Sequence, residues 1–148
     1  MDNDTAQKVY RFFTEVGILN QLSRALVEAR LPHGLTNTHF GILGHLLRRP
    51  DGETPLQLAT AFQQPKTTMT HMLKVLVRHN LIEIAPNAAD GRSKLARITL
   101  AGEHLVGQTL GALAPDMARI ATPEVAAAIL AALPHLEVVR EAMDKARD

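Results

Sequence analysis

Residues 65–100, PKTTMTHMLKVLVRHNLIEIAPNAADGRSKLARITL, decide the predicted fold. The first part of this stretch is a predicted helix that ends at Asn80, because Asn often replaces Gly at the left-handed position after a helix. Its predicted apolar face comprises Met69, Met72, Leu73, Leu76 and Val77. Two short segments rich in β-branched residues follow at 81–85 and 95–100, and the loop between them contains an Asp90-Gly91 turn. The local prediction is therefore a helix followed by a β-hairpin.

Helices are predicted on both sides of this stretch. An amphipathic helix covers about residues 5–30, a second covers about 37–48, and a short one begins at the Thr54-Pro55-Leu56-Gln57 capping box. Downstream, a helix from Ala101 is expected to stop near Pro115. A final helix opens at Thr122, and Pro134 is expected to kink or split it. The expected class is mostly α with a small β-hairpin, in a single domain spanning 1–148.

Composition excludes several classes of function. With 46% hydrophobic and 21% charged residues, the chain has the profile of a soluble domain, and its acidic start, Met1-Asp-Asn-Asp, does not resemble a secretion signal. We therefore expect a cytoplasmic protein with no membrane partner. The absence of Cys excludes disulfides, thiolate metal sites and Cys nucleophiles. Because the chain also has two Ser, no P-loop and no Gly-x-Gly-x-x-Gly, no enzyme activity and no cofactor are predicted.

The charge is unevenly distributed along the chain. Residues 63–100 carry six cations and two anions, whereas residues 1–62 are balanced and residues 101–148 have an excess of three anions. A basic middle third is the pattern expected when one face of a protein meets a polyanion.

The order of elements is that of a winged helix-turn-helix, in which two helices and a tight turn precede a β-hairpin called the wing. A helix fits the major groove of B-DNA and presents its N-terminal residues to base edges, while a basic loop can reach the neighbouring minor groove. The predicted helix begins with Pro65-Lys66-Thr67-Thr68-Met69-Thr70-His71, which offers several hydrogen-bonding groups in its first two turns. Double-stranded DNA is therefore the predicted partner.

The chain resembles the MarR family of bacterial transcriptional regulators over essentially its whole length. The residues that carry the resemblance are Leu58-Ala59, Lys66-Thr-Thr-Met-Thr-His71, Leu73, Leu76, Asn80-Leu81-Ile82, Asp90-Gly91-Arg92 and Ile98-Thr99-Leu100-Ala101-Gly102. The Asp-x-Arg pair of the wing and the Thr-x-x-Gly element after it are the most specific of these motifs. The chain departs from the family at Gln63 and Asn80, where Gly is usual, and at Pro65, where Ser is usual.

The resemblance and the chemistry of the residues together give the expected DNA contacts. Arg92 resembles the family's minor-groove arginine, and Asp90 is expected to orient it. The predicted contacts to base edges are Gln64, Lys66, Thr67, Thr70 and His71. The predicted contacts to phosphates are Thr68, Lys74, Ser93, Lys94 and Arg97. Arg78 and His79 are expected to face solvent or to support the hairpin.

The resemblance also implies an assembly and a mode of regulation. Residues 35–100 would form the DNA-binding core, and the helices in 1–31 and 101–148 would form a homodimer that binds a pseudo-palindromic operator. The usual role is repression relieved by a small aromatic or lipophilic effector. The candidate pocket residues are Phe13, His33, His39, Leu43 and Met72.

Three alternatives remain open from the sequence. The first is a metal-responsive regulator, because the chain has seven His residues. No pair of them has i,i+4 spacing, so no metal site is predicted. A winged helix can also serve protein association rather than DNA binding. Finally, the sequence does not distinguish a repressor from an activator.

Overall fold

The structure is a computed structural model that describes residues 1–146. Within that range, six helices and one antiparallel hairpin confirm the predicted class. They are α1 (Asn3–Glu28), α2 (Asn37–Leu47), α3 (Pro55–Ala61), α4 (Lys66–Arg78), β1 (Ile82–Pro86), β2 (Lys94–Ile98), α5 (Leu100–Ile120) and α6 (Pro123–Lys145). The chain forms two compact units, the first comprising Met1–Ala112 and the second beginning at Leu113.

The helix-turn-helix begins where its capping residues predict. The Thr54 hydroxyl accepts the Gln57 N–H at 3.2 Å, and the Gln57 side chain accepts the Thr54 N–H at 2.8 Å, which completes the capping box before α3. Between α3 and α4 the chain turns at Gln63, whose φ is +52°. After α4, Asn80 has φ +56°, which confirms its predicted left-handed conformation. Both residues adopt the backbone conformation that glycine adopts most easily.

The hairpin is shifted by about one residue from its prediction and has an additional partner. Ile82 pairs with Ile98 and Ile84 with Ala96 in the antiparallel register. Glu53, just before α3, forms two backbone hydrogen bonds with Ala96, at 3.1 and 2.8 Å. This bridge was not predicted, because a single residue has no periodicity that would indicate a strand.

The core lies in the first unit and is shared by the helix-turn-helix and the hairpin. Its largest completely buried side chains are Ile42, Leu43, Leu46, Leu58, Met69 and Leu76. On α4 the predicted apolar face is wrong in part, since Val77 is 40% exposed and Val75 is buried. Val75 lies one turn from His79 on α4, and the His79 ring lies beside Gly34, so the side of the helix that carries Val75 faces the segment before α2.

The start of α5 is held close to the hairpin. A Cβ added at Gly102 would overlap the carbonyl oxygen of Leu81, and the Thr99 hydroxyl donates to the Asn80 carbonyl at 2.7 Å. The Gly of the Thr-x-x-Gly element therefore permits a backbone approach that a larger residue would block.

The long helices differ from their predictions at two prolines. α5 continues through Pro115 to Ile120, and α6 is one helix through Pro134. The predicted stop at Pro115 and the predicted split at Pro134 are therefore wrong, whereas a kink at Pro134 stays a prediction. The apolar pattern continues on both sides of each proline, and the helices accommodate the lost N–H donor and the crowding by the ring. Among the described residues, no single helix is long and apolar enough to cross a membrane, and only α5 and α6 taken together across their break meet that criterion.

Candidate nucleic-acid interface

One side of α4 presents exposed polar side chains. Lys66, Thr67, Thr70, His71 and Lys74 are exposed, whereas Gln64 and Thr68 are only partly so. The helix contains no acidic residue. The Thr70 hydroxyl donates to the Lys66 carbonyl at 2.8 Å, so its oxygen remains available as an acceptor. This face can offer hydrogen bonds and positive charge to a nucleic acid.

The tip of the wing is closed by its own hydrogen bonds. Asn87 donates its N–H to the Ser93 carbonyl at 3.1 Å and its side-chain amide to the Ser93 hydroxyl at 2.9 Å. The Ser93 hydroxyl in turn donates to the Asp90 carbonyl at 3.1 Å. Ser93 therefore braces the loop internally. Asn87 was missed by the sequence reasoning, although an Asn at the start of a hairpin loop often forms such a turn.

Asp90 and Arg92 are both exposed at this tip. One Asp90 carboxylate oxygen accepts the backbone N–H of Arg92 at 3.1 Å, so Asp90 fixes the position of Arg92 through the main chain. No side chain in the described range 1–146 is bonded to the Arg92 guanidinium. Its five N–H donors are therefore presented on a loop whose backbone is held in place.

The two remaining predicted contacts of β2 differ in their surroundings. Lys94 is exposed, whereas Arg97 is partly buried and donates from Nε to the Asp51 carbonyl at 3.2 Å. Arg97 thereby connects the hairpin to the turn before α3.

A groove of about 620 Å³ lies between α4 and the hairpin. Its lining residues are Pro55, Thr70, His71, Leu73, Lys74, Val77, Arg78, Ile84 and Lys94. Lys74 and Arg78 are one turn apart on α4, and Lys94 faces them from β2. Among residues 1–146, no carboxylate lines the groove. The sequence reasoning assigned Arg78 to solvent or hairpin support, although its i,i+4 spacing from Lys74 could have placed the two cations on one face.

The predicted effector residues lie in different environments. His39 is 6% exposed, Leu43 is completely buried and Met72 packs against the core, whereas Phe13 and His33 are exposed. The structure therefore places three of the five residues in or against the core and two outside it.

His39 is held as a neutral imidazole. Its Nδ1 accepts the Thr36 N–H at 3.0 Å, which places the ring proton on Nε2. Burial lowers the pKa of His39, and the charges of His71 and His79 lower it further. Nε2 is buried and has no hydrogen-bond partner among the described residues.

Within residues 1–146, no group of three His, Cys, Asp or Glu side chains is arranged to hold a metal ion.

Comparison with known proteins gives one family. Residues 33–93 match the model of the MarR family. A cysteine-to-serine mutant of MarR from E. coli, solved in complex with operator DNA, matches with a TM-score of 0.70 and 25% identity, covering 87% of this chain and 92% of that chain. A mutant of MepR from S. aureus bound to an oligodeoxyribonucleotide has the same fold, with a TM-score of 0.56 and 24% identity over 89% of this chain and 96% of that chain. A MarR family transcription regulator covers 99% of both chains with a TM-score of 0.66 and 23% identity.

Proposed function

We propose that the chain is a DNA-binding transcription regulator of the MarR family that acts as a homodimeric repressor, and that a small-molecule effector relieves its operator binding. Its family and fold are those of transcription regulators rather than of enzymes. Such a protein works on chromosomal DNA, so we place it in the cytoplasm.

The observation that carries the proposed DNA contact is the pairing of α4 with the wing. The exposed face of α4 would enter the major groove, where Lys66, Thr67 and His71 can contact base edges. Arg92, fixed through its backbone by Asp90, would enter the neighbouring minor groove, whose negative potential favours a guanidinium. Lys74 and Lys94 would bind phosphates between these two elements.

The surfaces of α1 and α6 support the homodimer. Neither helix has a buried residue, although α1 exposes Leu19 and Leu22 and α6 exposes Ile129 and Leu130. Exposed apolar stretches of this length mark an interaction surface. A two-fold dimer would place two α4 helices about 34 Å apart, one turn of DNA, and would therefore bind a pseudo-palindrome.

The environment of His39 supports the proposal that the protein binds an effector. A buried polar atom without a partner is costly, and a ligand with a hydrogen-bond acceptor would satisfy Nε2. The dimer can adopt an arrangement of its subunits that fits DNA and another that does not. Such a ligand relieves repression only if its affinity is higher for the second arrangement.

The test is binding to the DNA upstream of the chain's own coding region across a salt series. We expect the affinity to fall steeply with salt and to fall about tenfold or more in Arg92→Ala, since the arginine's contact is worth about 1–3 kcal/mol. Arg48→Ala, which removes an exposed arginine at the end of α2, is the matched control and should bind like the wild type. Absence of duplex binding at low salt would overturn the proposal and favour a protein-association module.

A further inference from the structure

The end of α1 is the part of that helix that connects it to the DNA-binding core. None of the 26 residues of α1 is buried, but Leu26, Val27 and Glu28 in its last turn are half-buried. Leu31, just after the helix, packs against the core. The position of α1 relative to the core therefore depends on contacts at this end.

Glu28 forms a direct link to α2. Its Oε1 accepts the backbone N–H of Asn37 at 2.8 Å, and Asn37 is the first residue of α2. The first N–H groups of a helix have no partner within the helix, and they carry the positive end of its dipole. The same hydrogen bond lowers the pKa of Glu28, with the nearby Arg24 adding to the effect. The carboxylate thus caps a helix other than its own.

The location of Glu28 within its own helix is unfavourable. A carboxylate in the last turn of a helix lies next to the negative end of that helix's dipole, and the last turn of α1 contains no basic residue. The interaction with α2 supplies the compensating positive potential.

Arg30 forms a second link two residues later. Its Nη1 donates to the Leu26 carbonyl at 2.8 Å, and its Nε approaches the Ala112 carbonyl of α5 at 3.4 Å. Two charged side chains therefore connect the end of α1 to α2 on one side and to α5 on the other.

We infer that Glu28 is a positioning residue for operator recognition, because its link to Asn37 sets the position of the dimer-forming α1 relative to the core that carries α4. α2 is firmly part of that core, since Ile42, Leu43 and Leu46 are completely buried. The inference rests on the proposed homodimer: if α1 holds the two subunits together, a change at its end alters the spacing of the two α4 helices. Loss of the link would make the dimer less selective for half-site spacing while leaving it a dimer.

The test compares binding to an operator duplex with binding to the same duplex carrying one extra central base pair. Glu28→Ala should weaken binding to the native duplex by about threefold to tenfold, the equivalent of one hydrogen bond, and should bring the two affinities closer together. Glu28→Gln keeps an oxygen acceptor and should retain most of the wild-type preference. Glu83→Ala, an exposed acid on β1 and outside the helices proposed to form the dimer, is the control and should keep the wild-type ratio of affinities. Sedimentation checks that each variant is a dimer.

Asn37→Pro tests the link from its other side. Proline is favoured at the first position of a helix but has no N–H, and the extended backbone of Thr36 before it, with ψ 168°, is compatible with proline. This variant keeps the Glu28 charge and should show the same loss of spacing preference, so it decides the question if Glu28→Ala does not fold. A dimeric Glu28→Ala or Asn37→Pro variant with the wild-type ratio of affinities would overturn the inference.

Amide hydrogen exchange separates this inference from the proposed function. The Asn37 amide should be protected in the wild type and lose its protection in Glu28→Ala, whether or not DNA binds. Protection without any duplex binding would refute the proposed function alone. Fast exchange of the Asn37 amide in the wild type would refute the link itself.

Discussion

The helices of the core and the long helices α1 and α6 use the same apolar residues in opposite environments. In α2, which has 11 residues, Ile42, Leu43 and Leu46 are completely buried. In the 23-residue α6, Ile129 is 52% exposed and Leu130 is 70% exposed. The comparison shows that an apolar face indicates the need for a partner but not whether the partner belongs to the same chain.

The comparison predicts that replacing a core leucine lowers the free energy of unfolding much more than replacing an exposed leucine. Leu46→Ala should lower the free energy of unfolding by about 2–5 kcal/mol, because it leaves a cavity in a completely buried site. Leu100→Ala, at 75% exposure, should change it by less than about 0.5 kcal/mol. Denaturant titration of the two variants measures the difference. Equal effects would show that the burial pattern does not determine stability here.

The long helices should instead determine association. Leu130→Glu places a charge on the exposed apolar face of α6 and should weaken dimerisation by about 2 kcal/mol or more, as expected for a central interface residue. Leu56→Glu changes a leucine of similar exposure on α3 and should leave the dimer intact. Analytical ultracentrifugation over a concentration series checks both. A Leu130→Glu variant that associates like the wild type would show that this face of α6 is not part of the dimer interface.

The pH dependence of stability should distinguish the buried histidine of the core from an exposed one on α6, and this effect is smaller than the two above. Because burial lowers the pKa of folded His39, the unfolded chain takes up a proton at a higher pH than the folded chain as the pH falls through about 6.5. Stability should therefore decrease from pH 7 towards pH 5, by at most about 1.4 kcal/mol per pH unit for this one group.

His39→Gln keeps an acceptor for the Thr36 N–H but cannot titrate, so its unfolding free energy should depend less on pH in this window. His135→Gln, an exposed position on α6, is the matched control and should keep the wild-type dependence. Unfolding measured at pH 7, 6 and 5 gives the slopes. An unchanged slope in His39→Gln would contradict the neutral, buried state of this ring. The pKa of Glu28 is also lowered, but its contribution is lost only below about pH 4.5 and lies outside this window.

The sequence predicted most elements of the fold because their boundaries depend on local chemistry. The Thr54 capping box and the left-handed Asn80 are properties of a few neighbouring residues, and both are confirmed. Val75 was missed because it lies on the side of α4 that faces the segment around Gly34, which is distant in sequence. The Glu53–Ala96 bridge was missed because it too joins residues distant in sequence.

The candidate site was predictable by residue type but not by arrangement. Arg92, Lys66, Thr67, Thr70 and His71 follow from the motif, and all five are exposed as a DNA contact requires. That Arg78 joins Lys74 and Lys94 around one groove could not be derived, because Lys94 lies on a different element. The partners of Glu28 and Arg97 likewise depend on how elements meet.

The internal hydrogen bonds of the wing tip have a consequence for the entropy of DNA binding. Ordering a flexible loop costs about 1–2 kcal/mol for the backbone of each residue fixed. In this chain Asn87, Asp90 and Ser93 already hold the loop closed before DNA arrives. Binding would then immobilise mainly the Arg92 side chain, at a cost of about 0.5–1.5 kcal/mol. A wing organised in advance can thus contribute most of its electrostatic attraction to affinity.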